Sequence, residues 1–397
     1  MVDRQVDILI IGGGLTGSTL MLALANMGYK SLLIEDKPLK SRAHADFDAR
    51  SLALAPSTVN ILQTLNIWQH LKKEASAIET IHVSERQNFG SLRIKGEEDS
   101  PLGFVVEMQN INSVLIKMLD EKNIITKAKL IKLNYTDGLA TILTDDGEVK
   151  IKASLIIAAD GTDSTTRNLC DLSAEAKDYN QHALVANIGL ARSHKQYAYE
   201  RFTSSGPLAL LPMTGLRSSL VWSLEPNEAA MYRTCSEEFF LKSLQRAFGY
   251  RLGRLVKVGE RMVYPLRQVI MKETVIGKVV FIGNAAHTLH PVAGQGFNLG
   301  LRDVATLAQC IVKDGISSKM LEAYKLARRH DQNSILKFTD FLAEIFTNHL
   351  PGLSLMRGVG LIALDNSEIL KKILARYARG FGGVIPDLAC GLPLINL

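Results

Sequence analysis

The sequence predicts an α/β (α+β) protein: a doubly wound parallel-sheet domain, an antiparallel-sheet domain interleaved with it, and a helical C-terminal extension. Three observations predict this. A buried-type strand, Val6–Ile11, runs straight into Gly12-Gly13-Gly14-Leu15-Thr16-Gly17 and a helix. Two later apolar strands, Ala153–Ala159 and Lys278–Ile282, open into turns at Asp160-Gly161 and Gly283-Asn284. From Gln181 to Leu224, short β-type runs alternate with Ser/Gly/Pro turns, the mark of an antiparallel sheet in a second domain.

The elements follow in order. The first helix, Ser18 to Met27, stops at Gly28, where a C-cap glycine belongs, and a second strand, Ser31 to Ile34, ends in Glu35. Leu52 to Leu71 reads as helix, Thr80 to Phe104 as polar strand, and Asn112 to Glu121 as helix. Strands around Ala128–Tyr135 and Ala140–Leu143 precede the turn Thr144-Asp145-Asp146-Gly147. The antiparallel runs are Ala183–Leu190, Tyr197–Thr203, Leu208–Met213 and Leu220–Leu224, then a helix from Ser236 to Phe248. From Leu321 onward the chain is mostly helical. Residues 1–78, 105–175 and 273–332 are assigned to the first domain, 79–104 and 176–272 to the second, and 333–397 to the extension.

Bulk properties narrow the function classes. A chain of 397 residues with 47% hydrophobic and 22% charged residues can fill more than one core. The net charge of +6 is spread thinly, with no basic run to bind nucleic acid. Cys170, Cys235, Cys310 and Cys390 form no CxxC pair, and the histidines form no HxxxH pair with an acid, so no metal site is expected. No stretch reaches the ~20 unbroken apolar residues of a membrane span. Without a signal-peptide pattern at the N-terminus, the expected location is cytoplasmic, with peripheral attachment at the inner face of the membrane left open.

Three motifs carry the chemistry. Gly12-x-Gly14-x-x-Gly17 lets backbone approach a pyrophosphate, which the helix N-terminus then attracts. Glu35 stands where a carboxylate accepts both ribose hydroxyls and disfavours a 2′-phosphate, completing a Rossmann-like βαβ unit. The second motif is Ala159-Asp160-Gly161-x-x-Ser164-x-x-Arg167, which taken alone is an ordinary turn. The third runs from Gly283-Asn284-Ala285-Ala286-His287 through His290-Pro291 to Gly294-Gln295-Gly296-Phe297-Asn298-x-Gly300. Its glycines admit a flat ring, and its helix N-terminus can stabilise charge on a reduced flavin.

With these motifs in this order, the chain resembles the FAD-dependent aromatic hydroxylases of the para-hydroxybenzoate hydroxylase type, and among them the ubiquinone-biosynthesis hydroxylases. Phe47-Asp48-Ala49-Arg50-Ser51-Leu52-Ala53-Leu54, Glu200-Arg201-Phe202-Thr203 with Gly206-Pro207-Leu208-Ala209, and Ala247-Phe248-Gly249 add to the likeness. The resemblance implies an FAD-binding domain in which Gly12, Gly14 and Gly17 touch the pyrophosphate and Glu35 the ribose. It further implies that Arg50 reaches the pyrophosphate or flavin edge and Gln109 the ribityl chain. Asp160 and Gly161 would support the pyrophosphate region with Arg167 beside them, Gly283 and Asn284 would meet the ribityl chain, and Pro291, Gly294, Gln295, Gly296, Phe297 and Asn298 would line the isoalloxazine. Asn284 departs from the family's aspartate and loses a charge-assisted hydrogen bond worth ~1 kcal/mol.

The implied activity is hydroxylation of a polyprenylated phenol, a 2-polyprenyl-6-methoxyphenol becoming the 1,4-benzoquinol through a flavin C4a-hydroperoxide. NAD(P)H would be a transient reductant, because the chain carries a single dinucleotide-binding βαβ signal. Two alternatives stay open: a sister hydroxylase acting at another ring position, and a non-catalytic FAD-binding subunit of a biosynthetic complex. Partnership with other ubiquinone-biosynthesis proteins and homo-oligomerisation are also left open. Leu211, Met213, Val221 and Trp222 are candidates for the apolar wall of the substrate pocket, set against the plain reading of strand core. A base for the phenolic proton is unassigned among His287, His290, His182 and Tyr199, with His290 first because it adjoins Pro291. Ile335, Phe338, Phe341, Leu342, Ile345 and Phe346 recur at helical spacing, as in a packed helix or a membrane-surface element.

Overall fold

The computed structural model describes residues 2–39, 50–86, 88–96, 100–289, 295–329, 360, 362–382 and 385–394. Alternating Val and Ile at the N-terminus build the strand Arg4–Ile11, whose residues Ile8 to Ile10 are sealed on both faces, as in the centre of a parallel sheet. It pairs in parallel with Gly147–Ala158 on one side and Ser31–Glu35 on the other. Val279–Phe281 and Ile124–Thr126 extend the same parallel sheet outward, and an antiparallel hairpin of Lys129–Asn134 and Leu139–Thr144 joins it along Gly147–Ala158. The helices Leu15–Leu24 and Gln295–Asp314 cover one face through Leu20, Leu24, Val304, Leu307 and Ile311. The hairpin residues Leu130, Ala140 and Ile142 fill the other.

A second sheet is mainly antiparallel. Its strands run His287–Thr288, Met262–Met271, Ala174–Leu190, Arg217–Leu224, Gly206–Met213, Tyr197–Thr203, Thr80–Glu85 and Ser91–Lys95, with Leu255–Val258 beside Ala174–Leu190. The strand His287–Thr288 therefore carries the third motif from the parallel sheet into this one. Period-two alternation sends Leu184, Leu208, Leu220 and Trp222 to one face, where Phe240, Leu244 and Phe248 of the helix Glu237–Phe248 pack on them. Ser236 caps that helix by accepting from the Phe239 N–H. A small sheet of Ser51–Leu54, Gly103–Glu107 and Ser76–Ile78 lies against the opposite face, joining Val105 and Ala53 to Ala198 and Met213.

Three local expectations change. Ser51–Leu54 is a strand, and the helix begins only at Pro56, because the chain first pairs with Gly103–Glu107 and proline then fits the first helical position. The helix expected at Asn112 starts at Met108, directly after the strand ending in Glu107. The strand expected from Ala183 begins at Ala174 and pairs along Met262–Met271. The C-terminal segment is tied down: Asn60 donates to the Ala389 carbonyl at 2.9 Å and Arg302 to the Gly382 carbonyl at 2.6 Å. The apolar residues from Ile335 to Phe346 lie outside the described residues. Among the described residues no helix is long and apolar enough to cross a membrane.

Candidate active site

The first turn is shaped by what glycine permits. Gly12 has φ +104°, and a Cβ there would sit 2.5 Å from the Ala159 carbonyl oxygen. A Cβ on Gly17 would overlap the Gly12 carbonyl, so only glycine lets the helix come this close to the strand. At Gly14 the helix starts with no side-chain cap, and a Cβ would meet nothing within 4 Å. The leading N–H groups of the helix thus have no capping side chain beside open space, which fits a dinucleotide pyrophosphate. Glu35 sits at this turn, its Oε2 accepting from the Gly13 N–H at 2.6 Å and its Oε1 from the Lys37 N–H at 3.2 Å. Burial and a hydrogen bond with Asp36 hold its carboxyl above the usual range, against the pull of those two N–H groups.

In the second motif, Asp160 is spent on its own turn. One oxygen accepts from Ser164 Oγ at 2.6 Å, the other from the Thr166 N–H and Oγ1 at 2.9 Å each. Gly161 follows at φ +86°. The buried Arg167 guanidinium donates to the Thr162 carbonyl at 2.7 Å and to the Ala285 carbonyl at 3.1 Å, bracing the second motif against the third.

The third motif rests on a carboxylate that sequence reasoning missed. Asp303, fully buried in the helix Gln295–Asp314, accepts from the Gly283 N–H at 2.8 Å and from His287 Nε2 at 2.6 Å through one oxygen. Its other oxygen accepts from Arg328 Nε at 2.6 Å. Burial alone would raise its pKa, but His287, Arg328 and the Gly283 N–H together bring it down to about 2. Because an ionised Asp303 only accepts, His287 carries its proton on Nε2 and is a structural donor rather than a free base. Asn284 is exposed, and its carbonyl accepts from Thr288 Oγ1 at 3.3 Å.

Asn298 then fastens this helix to the small sheet. Its Oδ1 accepts from the Ala55 N–H at 2.9 Å and Thr58 Oγ1 at 2.8 Å, while its Nδ2 donates to the Ala53 carbonyl at 2.9 Å. Gly296 and Phe297 precede it, partly buried, and Gln295 opens the helix. Arg50 stands just before the strand Ser51–Leu54, its guanidinium 5.5 Å from the centroid of the Tyr264 ring. The Arg50 carbonyl accepts from the Met108 N–H at 2.7 Å, which brings Gln109 into the same neighbourhood. His290, Pro291 and Gly294 lie outside the described residues.

Of the four wall candidates, Leu211 and Met213 pack with Val105 and Ala53 on the face turned toward Arg50 and the small sheet, and Val221 shares that face by register. Trp222 does not. Alternation points it to the other face, where its indole stacks on Tyr232 at 5.1 Å between centroids and packs against Phe240. His182 and Tyr199 likewise lie on the helix-covered face by register with Leu224 and Leu210. Tyr264, missed in the sequence, is one strand residue from Val263 on that covered face and so points the opposite way, toward Arg50.

A glycine-cradled dinucleotide site beneath an antiparallel sheet defines a two-domain flavoprotein oxidoreductase. The sequence matches the family model described as FAD binding domain over residues 5–339. It is 33% identical over 406 residues to a ubiquinone hydroxylase of Rhodospirillum rubrum, covering 99% of this chain and 94% of that one. It is 29% identical over 400 residues to the 3-demethoxyubiquinol 3-hydroxylase of Escherichia coli, covering 96% and 100%. The fold matches p-nitrophenol 4-monooxygenase from Pseudomonas putida with TM-score 0.78 at 18% identity, over 96% of this chain and 99% of that one, a likeness of fold alone. The chain belongs to the FAD-binding-domain family, in its branch of FAD-dependent monooxygenases that hydroxylate aromatic rings in ubiquinone biosynthesis.

Proposed function

We propose that the chain hydroxylates the ring of a polyprenylated phenol, converting a 2-polyprenyl-6-methoxyphenol to the 1,4-benzoquinol. The observation that carries this reading is that Arg50, facing Tyr264 of the second sheet, leads into the strand Ser51–Leu54, whose Ala53 carbonyl accepts from Asn298 of the third motif, beside the partly open Leu211 and Val221. Bound FAD supplies the transfer of two electrons from NAD(P)H to O2, one oxygen atom entering the ring and the other leaving as water. The N–H groups around Gly12, Gly14 and Gly17 hold the pyrophosphate. Glu35 keeps lone pairs beyond those used by Gly13 and Lys37, and these accept the ribose hydroxyls. Arg50 and Gln109 flank the flavin side, with Asp160, Gly161 and Arg167 bracing the turn behind it. Gly283 and Asn284 would meet the ribityl chain, while Gly296, Phe297 and Asn298 would line the ring. Leu211, Met213 and Val221 keep water from the reacting ring and orient its apolar edge.

A second reading, a sister hydroxylase acting at another ring position, is supported by the Escherichia coli relative, whose name places its hydroxylation at position 3. A prenylated substrate would be met at a lipid surface, and exposed Ile362, Ile369 and Leu370 beside Lys372 suit peripheral contact there.

Purified protein incubated with FAD, NAD(P)H and labelled O2 is offered three prenylphenols differing in the free ring position. The expected result is a flavin absorbance band and a hydroquinol carrying one labelled oxygen from the methoxyphenol. Product from a different prenylphenol favours the second reading, and reoxidation without labelled product from any of them sinks both.

A further inference from the structure

The motif Glu200-Arg201-Phe202-Thr203 has so far served only as a likeness, yet it puts a carboxylate in a place where strand residues are otherwise apolar. Tyr199 and Arg201 point to the helix-covered face, where Tyr199 meets Phe248 and Arg201 donates to the Ala247 carbonyl. Glu200 therefore points to the face that looks toward Arg50 and the small sheet. The register there runs unbroken across six strands: Val83 opposite Glu200, Glu200 opposite Ala209, Ala209 opposite Val221, Val221 opposite Val185, and Val185 opposite Met262. All six residues are partly open, whereas Leu184, Leu208, Leu220 and Trp222 behind them are sealed. One end of the row adjoins Tyr264, two residues from Met262, and through it Arg50. This is a partly open row of five apolar residues and one acid on one sheet face.

We propose that Glu200 is the catalytic base of the hydroxylation, taking the phenolic proton of a substrate ring that lies on the apolar row beside it. The proposal rests on the aromatic-hydroxylase reading above. In the step the phenol O–H bond breaks and an O–H bond forms on the Glu200 carboxylate, with no electron transferred. The phenolate, richer in electrons at its ortho and para carbons, is what the oxidation consumes. The proton then returns to the product's hydroxyl, leaving Glu200 ionised for the next turnover.

The electrostatics of the row agree with that task. Burial raises the Glu200 pKa to about 7, and no hydrogen bond or ion pair opposes it among the described residues. The other ionisable groups on this face are engaged elsewhere. Arg217 pairs with Glu107 at 2.8 Å, Tyr264 lies under Arg50, and Glu85, two register positions along opposite Phe202, has a contact of its own. The C-terminal residues Leu364 and Leu374, packed on the same face, bring Asp365 and Lys371, which pair with each other at 3.2 Å. A base with a pKa near the working pH combines the right protonation state with enough proton affinity.

The test compares holoenzyme and Glu200→Gln with a short-chain 2-prenyl-6-methoxyphenol. For the wild type, kcat/KM rises with pH through about 7 and then levels, and binding at neutral pH gives the absorbance of a phenolate. In Glu200→Gln, flavin content is unchanged, the substrate binds as neutral phenol, kcat/KM falls ~100-fold and the acidic limb disappears. Glu200→Asp keeps the limb at an intermediate rate. A Gln variant with the wild-type rate and limb overturns the assignment while leaving the aromatic-hydroxylase reading intact. Should that variant lose its flavin, the wild type decides alone, since a flat profile from about pH 6 to about pH 8 also overturns it. A wild type that makes no hydroquinol at all removes the aromatic-hydroxylase reading, and this proposal with it.

Discussion

Asp303 beneath the third motif and Glu200 on the sheet face turned toward Arg50 are both carboxylates set among apolar side chains, and they are treated in opposite ways. Asp303 is given a backbone N–H, an imidazole N–H and a guanidinium, all within 2.8 Å, and its pKa falls to about 2. Glu200 is given Val83, Ala209 and the row beyond them, and its pKa rises to about 7. The contrast separates holding from reacting. A buried ion that is fully paired stays ionised through the working range and fixes geometry. One that is left unpaired sits at the edge of protonation, where a proton can move.

The largest expected effect comes from unbalancing the paired site. Asp303→Asn keeps the shape but leaves the Arg328 charge buried without its partner, which costs about 3–5 kcal/mol. Denaturant unfolding of the flavin-free protein measures the loss, and a loss below about 1 kcal/mol would show that the hub is incidental. The same variant should retain less FAD, because the Gly283 N–H no longer has a charged acceptor. Removing both charges, Asp303→Asn with Arg328→Met, should cost less than the sum of the two single changes. Strict additivity would mean that the pair does not couple.

A smaller effect follows from acid. Because the folded pKa of Asp303 lies below its ordinary 3.8, its contribution is present above that value and is lost as pH falls through about 2. The stability gap between wild type and Asp303→Asn should therefore narrow by about 2 kcal/mol between pH ~5 and pH ~2. A gap independent of pH would mean that the carboxylate is not ionised in the fold.

What could be read from the sequence divides along the same line. The three glycine-bearing turns were legible because turn chemistry is local: each φ or close approach is demanded within a few residues, as at Gly12 and Gly17. The Asp303 hub was not, since its partners Gly283, His287 and Arg328 are brought together only by the packing of two helices on the sheet. A single acid amid Leu299, Leu301, Val304 and Ala305 was the one available signal. The wall of the site was half legible. Alternation separates Val221 from Trp222, but which face meets the flavin side depends on long-range register. That same register places Glu200, otherwise a motif letter, on the partly open face with Val221. The helical expectation over Leu52 to Leu71 fails at Leu52–Leu54 because so short a strand carries too little periodicity to oppose the helix that follows.

The smallest expected effect is also the one with an unusual sign. For Glu200 the folded pKa lies above the ordinary 4.5, so the folded protein binds more protons than the unfolded chain between those values. Its presence therefore becomes progressively more destabilising as pH rises from about 4.5 through about 7, when a largely desolvated carboxyl must ionise with no partner among the described residues. Glu200→Gln removes that ionisation and replaces it with an amide whose own burial is less costly. A shift from 4.5 to about 7 corresponds to ~3 kcal/mol in full, but Glu200 is partly open to solvent, so the variant should be more stable than the wild type by about 1–2 kcal/mol at pH ~8, and the gain should vanish below pH ~4.5. Chemical unfolding of the flavin-free proteins at several pH values measures both limbs. A gain that persists in acid would trace to packing rather than charge, and a loss at pH ~8 would mean that Glu200 is paired after all. A substitution that lowers turnover while raising stability is what distinguishes a group kept for chemistry from one kept for the fold.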